Sequence, residues 1–101
     1  MSYRIEIREE ADAEIFDAYH WYEQQLTGLG QRFINELEIV LEKITSNPLH
    51  YKIATSIYRQ AAIKSFPFVV YFEVNDNAII VYSVFHTKRK PKTDFSFRIK
   101  R

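Results

Sequence analysis

The sequence predicts an α+β fold: an N-terminal strand, an antiparallel helical hairpin, and a small, mostly antiparallel sheet. Three observations carry this. Tyr3 to Arg8 alternates apolar and polar residues, the period of a half-buried strand. Apolar residues then recur at three- and four-residue steps through two segments joined by Thr27-Gly28-Leu29-Gly30. From Ser56 onward the chain is rich in aromatic and β-branched residues, broken by Asn75-Asp76-Asn77.

In the first strand, Tyr3, Ile5 and Ile7 share one side, and Arg4, Glu6 and Arg8 the other. The first helix follows, with Ala11, Ile15, Ala18, Tyr22 and Leu26 on its stripe and Phe16 and Tyr19 widening it. Glu9, Glu10, Asp12 and Glu14 crowd its first turns, where carboxylates complement the helix dipole. Gly28 and Gly30 supply the open backbone angles of a tight turn. The second helix places Phe33, Leu37, Val40, Leu41 and Ile44 on one stripe, with Ile34 beside it. Asn47-Pro48 ends it, because the residue before proline is pushed out of the α region.

Three further strands are expected: Ser56 to Ile63, Phe66 to Val74 and Ala78 to Phe85. The last two form a hairpin, since Asn and Asp tolerate left-handed angles in the loop between them. Their nearly continuous apolar character marks them as central strands, covered on at least one face by the helices. The order is β-α-α-β-β-β. Periodicity leaves open which way the first strand pairs with the last ones. Residues 1–95 read as a single domain and 96–101 as a short basic tail, with Phe95 and Phe97 a short edge strand or a docked end.

The chain has 101 residues, of which 47% are hydrophobic and 27% charged, with two glycines and three prolines. That composition excludes a disordered tail, a collagen-like chain and a low-complexity linker. There is no cysteine, which excludes disulfides, thiolate metal sites and a cysteine nucleophile. No apolar run approaches the roughly 20 residues of a membrane helix, and no signal pattern opens the chain. A cytoplasmic protein without membrane partners is expected.

The net charge of +1 hides a polarity. Residues 1–50 carry four bases against ten acids, a balance of −6. Residues 51–101 carry ten bases against three acids, +7, and seven of the bases fall in the last fourteen residues. One basic surface meeting a polyanion or an acidic partner follows from that split.

No phosphate loop, dinucleotide turn or zinc-binding HExxH motif is present, and His20, His50 and His86 lack metal-ligand spacing. Neither cofactor nor metal is expected. His86 ends an apolar strand and precedes Thr87-Lys88-Arg89-Lys90-Pro91. It can act as acid or base or donate to a phosphate. Alternatively it caps the strand end through backbone hydrogen bonds. Arg59, between Tyr58 and Gln60, can grip a phosphate or carboxylate with its planar fork, or pair across the sheet with Glu73. Lys52 and Lys64 extend the same surface. Lys88 to Lys92 reads either as a phosphate-contacting loop or as a solvated end. The strand aromatics Phe66, Phe68, Tyr71, Phe72, Tyr82 and Phe85 read as core in preference to a base-stacking platform.

Taken in order, several segments resemble a known family. They are Ala11-Asp12-Ala13-Glu14-Ile15, Trp21-Tyr22-Glu23, Gly28 to Phe33, Ile44 to Pro48 with Tyr51, Tyr58-Arg59-Gln60-Ala61, Phe66-Pro67-Phe68, Val70-Tyr71-Phe72, and Val84 to Pro91. From Tyr3 to about Asp94 the chain resembles the RelE/ParE superfamily of small bacterial toxins, on its ParE-like, plasmid-stabilisation side. The resemblance implies a toxin of a type II toxin–antitoxin module, wrapped by the C-terminal segment of a cognate antitoxin. It implies one of two targets. ParE-like members poison DNA gyrase by binding; RelE-like members cleave messenger RNA on the ribosome. A non-toxic, antitoxin-binding remnant is the third reading.

Carried over by position, Arg59 matches the sheet arginine of both branches. His86 and Arg89 match the His-x-x-Arg end of the ParE-like strand, and Lys90 stands where that branch usually has an acid. The expected target-binding set is Arg59, Lys64, His86, Lys88, Arg89, Lys90 and Lys92. Arg59, His86 and Arg89 become catalytic only if the protein is a nuclease. No tyrosine follows His86, which favours a binding toxin over an enzyme. The sequence leaves open whether two copies pair.

Overall fold

The computed structural model describes residues 3–88. The elements run β1 (Arg4–Ile7), α1 (Glu9–Gln25), α2 (Leu29–Ser46), β2 (Ile53–Thr55), β3 (Tyr58–Ala62), β4 (Phe68–Asn75) and β5 (Ala78–His86). A single 3-10 turn, Pro48–His50, follows α2. The strands form one sheet in the order β1-β5-β4-β3-β2. β1 lies parallel to β5, from Arg4 opposite Ala78 to Ile7 opposite Val81, and every other pair is antiparallel. This is the expected α+β architecture with one strand added. The expected tail from 96, Phe95 and Phe97 lie outside the described residues.

The helical hairpin turns where the sequence breaks. Gly28 holds φ at +93°, a left-handed backbone angle that suits glycine. The Glu23 carboxylate, still on α1, accepts the backbone N–H of Gly28 at 2.7 Å and of Gly30 at 2.8 Å. It thereby satisfies donors that the start of α2 leaves without intrahelical partners. Gly30 is required for another reason: a Cβ there would lie 2.5 Å from the Tyr19 carbonyl oxygen. The two helices meet at that point.

One core lies between the hairpin and the sheet. Phe33, Ile44, Val70, Phe72, Ile79, Val81 and Val84 are fully buried in it. Each such side chain contributes about 1.5–3 kcal/mol relative to an exposed one. Tyr22 of α1, Phe33 of α2, Phe66 of the turn before β4 and Phe68 at its start form an aromatic cluster with ring centroids 4.9–6.1 Å apart. Beyond the sheet, on the face away from the helices, Tyr58, Ile80 and Tyr82 form a smaller cluster with Tyr71. β4 and β5 are central and buried on both faces, which is why they read as apolar runs.

Three expectations need correction. The strand β2 was not anticipated: its three residues are all exposed, so no period-two burial marks it. Phe16 and Leu26, placed on the α1 stripe by spacing, are 63% and 64% exposed. Phe16 lies beyond the edge of the stripe, and Leu26 is the residue at which the helix ends in extended backbone. Ile7 is also exposed, because β1 is the edge of the sheet and its end passes the core.

Candidate functional site

Among the described residues, the bases of the second half do not form one cluster. β4 starts at Phe68 and β5 ends at His86, and these two residues are opposite each other. Their rings meet edge to face at 5.1 Å. The backbone continues into a short turn tied down by two bonds. The N–H of Thr87 donates to the Pro67 carbonyl at 2.7 Å, and the N–H of Lys88 donates to His86 Nδ1 at 3.0 Å. His86 thus caps the end of its strand through backbone, one of the two roles its position allowed. Because Nδ1 accepts, the neutral ring carries its proton on Nε2.

Lys64 belongs to this end of the sheet as well. It lies in the turn between β3 and β4, where Ser65 adopts φ of +69° and the Ile63 N–H donates to the Phe68 carbonyl at 3.0 Å. Arg32, in the first turn of α2, places its guanidinium over the Phe66 ring at 5.9 Å. Three cations, Arg32, Lys64 and Lys88, therefore border the same sheet end, and all three residues are exposed. Arg32 was missed as a site residue. A signal existed: a cation in the first turn of a helix opposes the dipole, so it is held there by something else.

Arg59 stands apart from this group. It is opposite Phe72, four residues along β4 from the Phe68–His86 pair, roughly 13 Å at the rise of a strand. Its Nη1 donates to the Tyr51 carbonyl at 2.6 Å, tying the segment after α2 to β3. The anticipated cross-strand pairing with Glu73 does not form. Glu73 accepts the Tyr82 hydroxyl at 2.8 Å on the other face. Arg59 and His86 are thus not brought together. Arg89, Lys90 and Lys92 lie outside the described residues.

On the second sheet face, Arg8 lies over the Tyr82 ring at 5.4 Å. Hydrogen bonding to Tyr82 raises its guanidinium pKa further, so the cation is permanent. Tyr58 packs edge to face on Tyr82 at 5.4 Å. His50 lines an open depression at the end of α2, with Glu42, Lys43, Ser46, Asn47 and Tyr51. Among the described residues no three His, Cys, Asp or Glu side chains are grouped to hold a metal ion. No described helix is long and apolar enough to cross a membrane.

The described residues form a two-layer fold whose sheet end is bordered by exposed cations. Comparison with known proteins gives the chain's family. A sequence model described as the ParE toxin of the type II toxin–antitoxin system, parDE, matches residues 5–91. The chain therefore belongs to the ParE toxin family. Among solved structures it is similar to a chain of the "Chromosomal ParDE TA system from P. aeruginosa". The TM-score is 0.74 at 11% identity, covering 84% of this chain and 96% of that one. No curated protein matches.

Proposed function

We propose that this toxin acts by binding DNA gyrase, and that a cognate antitoxin neutralises it in the cytoplasm. The observation that carries the reading is the separation within the candidate site. Phosphodiester cleavage needs a proton-transferring group and a charge-stabilising group on the same few atoms. Arg59 and His86 lie at different positions along the sheet, and His86 Nδ1 accepts a backbone N–H. The exposed cations at one sheet end are instead suited to grip an acidic surface. Lys64, His86 and Lys88, with Arg89, Lys90 and Lys92 following in sequence, are the proposed contacts, joined by Arg32. Arg59, which stands apart from them, instead holds β3 to the Tyr51 segment.

The test is supercoiling by purified gyrase from the source organism, titrated with the toxin. Inhibition with accumulation of cleaved DNA is the expected result. No inhibition at large molar excess, with cleavage of messenger RNA in a ribosome-containing extract, would transfer the protein to the nuclease reading. Neither effect, with normal growth on induction, would leave an antitoxin-binding remnant.

A further inference from the structure

We propose that the outward face of α1 is a docking surface for a cationic peptide segment with apolar anchors. The segment we assign to it belongs to the antitoxin, so the inference rests on the reading that an antitoxin binds this toxin.

The helix buries Ala11, Ala18 and Tyr22 on one side. At about 100° per residue, Phe16 and Trp21 bracket the opposite side, about 140° apart around the axis. They are 63% and 57% exposed. Between them the same turns carry Asp17 and His20. The Phe16 and His20 rings lie 4.3 Å apart, tilted by 60°, and Tyr19 meets His20 edge to face at 5.0 Å. A single exposed aromatic residue is ordinary, but two large ones bracketing one helix face, with a third ring between, make a platform. Tryptophan and its aromatic neighbours are the residues that anchor interfaces.

Charge identifies the occupant. α1 contains six carboxylates and no lysine or arginine. Two of the six have structural duties: Glu14 at the bulge of β5 and Glu23 at the hairpin turn. The others, Glu9, Glu10, Asp12 and Asp17, are exposed, and the single ion pair among the described residues is Arg4 with Glu6. The helix dipole accounts for the acids of the first turn but not for Asp17, which lies beyond it. Nor does a solvated helix need to exclude lysine and arginine; pairing at four-residue spacing would stabilise it. α2, equally exposed on its outer side, carries Arg32 and Lys43 among its acids. The one-signed face of α1 matches a segment bearing lysine or arginine about one turn from an apolar side chain. Such a cation can bond a carboxylate and lie over the Trp21 indole together.

The test is binding of the full chain to its antitoxin by calorimetry at two salt concentrations. Phe16 and Trp21 are exposed, so replacing them leaves the core intact, and thermal unfolding checks that. Phe16→Ala with Trp21→Ala is expected to weaken binding about a hundredfold. Asp12→Asn with Asp17→Asn is expected to weaken it about tenfold at low salt and to flatten its salt dependence. Ile39→Ala with Ile57→Ala, exposed residues elsewhere, is expected to bind as the parent does. Normal binding by the folded aromatic variant would overturn the proposal. So would loss of binding in that variant with no salt dependence in the parent, since the partner segment would not be cationic. Absence of binding by the parent chain would fail the antitoxin reading itself, and this inference with it.

Discussion

The Glu14 carboxylate of α1 accepts the Ser83 hydroxyl and the Val84 backbone N–H, each at 2.9 Å. This junction fastens the helix to the sheet at a defect. Tyr71 is opposite Ser83 and Phe72 opposite Val81, so Tyr82 is the extra residue of a β-bulge in β5. A bulge takes backbone groups out of the ladder. A buried N–H outside the ladder needs another acceptor, and Glu14 supplies one. Glu14→Ala is expected to cost about 2–4 kcal/mol, since both donors lose a charged acceptor. Ser83→Ala, which removes one bond, should cost about 1 kcal/mol. Urea unfolding of both variants checks the ranking.

Gly30 and Gly28 make a second, opposed pair of predictions. A Cβ at Gly30 would press on Tyr19 and Glu23, with the nearest atom a backbone oxygen that cannot swing aside. Gly30→Ala is expected to destabilise by about 1–3 kcal/mol despite the better helix propensity of alanine. At Gly28 nothing lies within 4 Å of the added carbon, and only the left-handed angle resists it. Gly28→Ala should therefore cost no more than about 1–2 kcal/mol. Thermal unfolding of the two variants, compared with the parent, measures the difference.

Much of this fold can be read directly in the chain. The stripe from Phe33 to Ile44, the Asn47-Pro48 stop and the hairpin loop at Asp76 all rest on local rules, and the structure keeps them. What escapes reading is non-local. The parallel sense of β1 depends on where the chain returns, not on the alternation of Tyr3 to Arg8. The bulge at Tyr82 is invisible because β5 is buried on both faces and has no alternation to interrupt. The same limit applies to the site. His86 and Lys88 are two residues apart in sequence, so their joint position was legible. Arg32 joins them only because α2 packs its first turn over Phe66.

Tyr22 gives the fold a pH limit. Burial raises its hydroxyl pKa above the ordinary 10.0, because the phenolate is poorly solvated in the core. The folded chain then keeps a proton that the unfolded chain loses, so folding stability falls as pH rises. The contribution is intact below pH 10.0 and is lost as pH climbs through the raised value. Tyr22→Phe removes the titration. Stability measured from pH 8 to 11 should fall less steeply in the variant than in the parent; equal slopes would show that Tyr22 ionises as freely in the fold as outside it.

The final prediction separates support from contact among the basic residues. Arg59 donates to the Tyr51 carbonyl, while Arg32, Lys64 and Lys88 are exposed at the other end of β4. Arg59→Ala removes a charge-assisted bond at 2.6 Å and should lower stability by about 1–2 kcal/mol. Its effect on gyrase inhibition should then match the loss of folded protein and no more. Charge reversal of Arg32, Lys64 and Lys88 together replaces exposed residues; the lost Arg32 contact with Phe66 is offset by an acid in the first turn of α2, so the unfolding midpoint should change little. It should nevertheless weaken inhibition by at least about tenfold, and more at low salt, because a steering surface has changed sign. Supercoiling assays at matched folded concentrations distinguish the two variants. Strong loss of inhibition in a fully folded Arg59→Ala protein would move the contact to the Tyr51 side of the sheet.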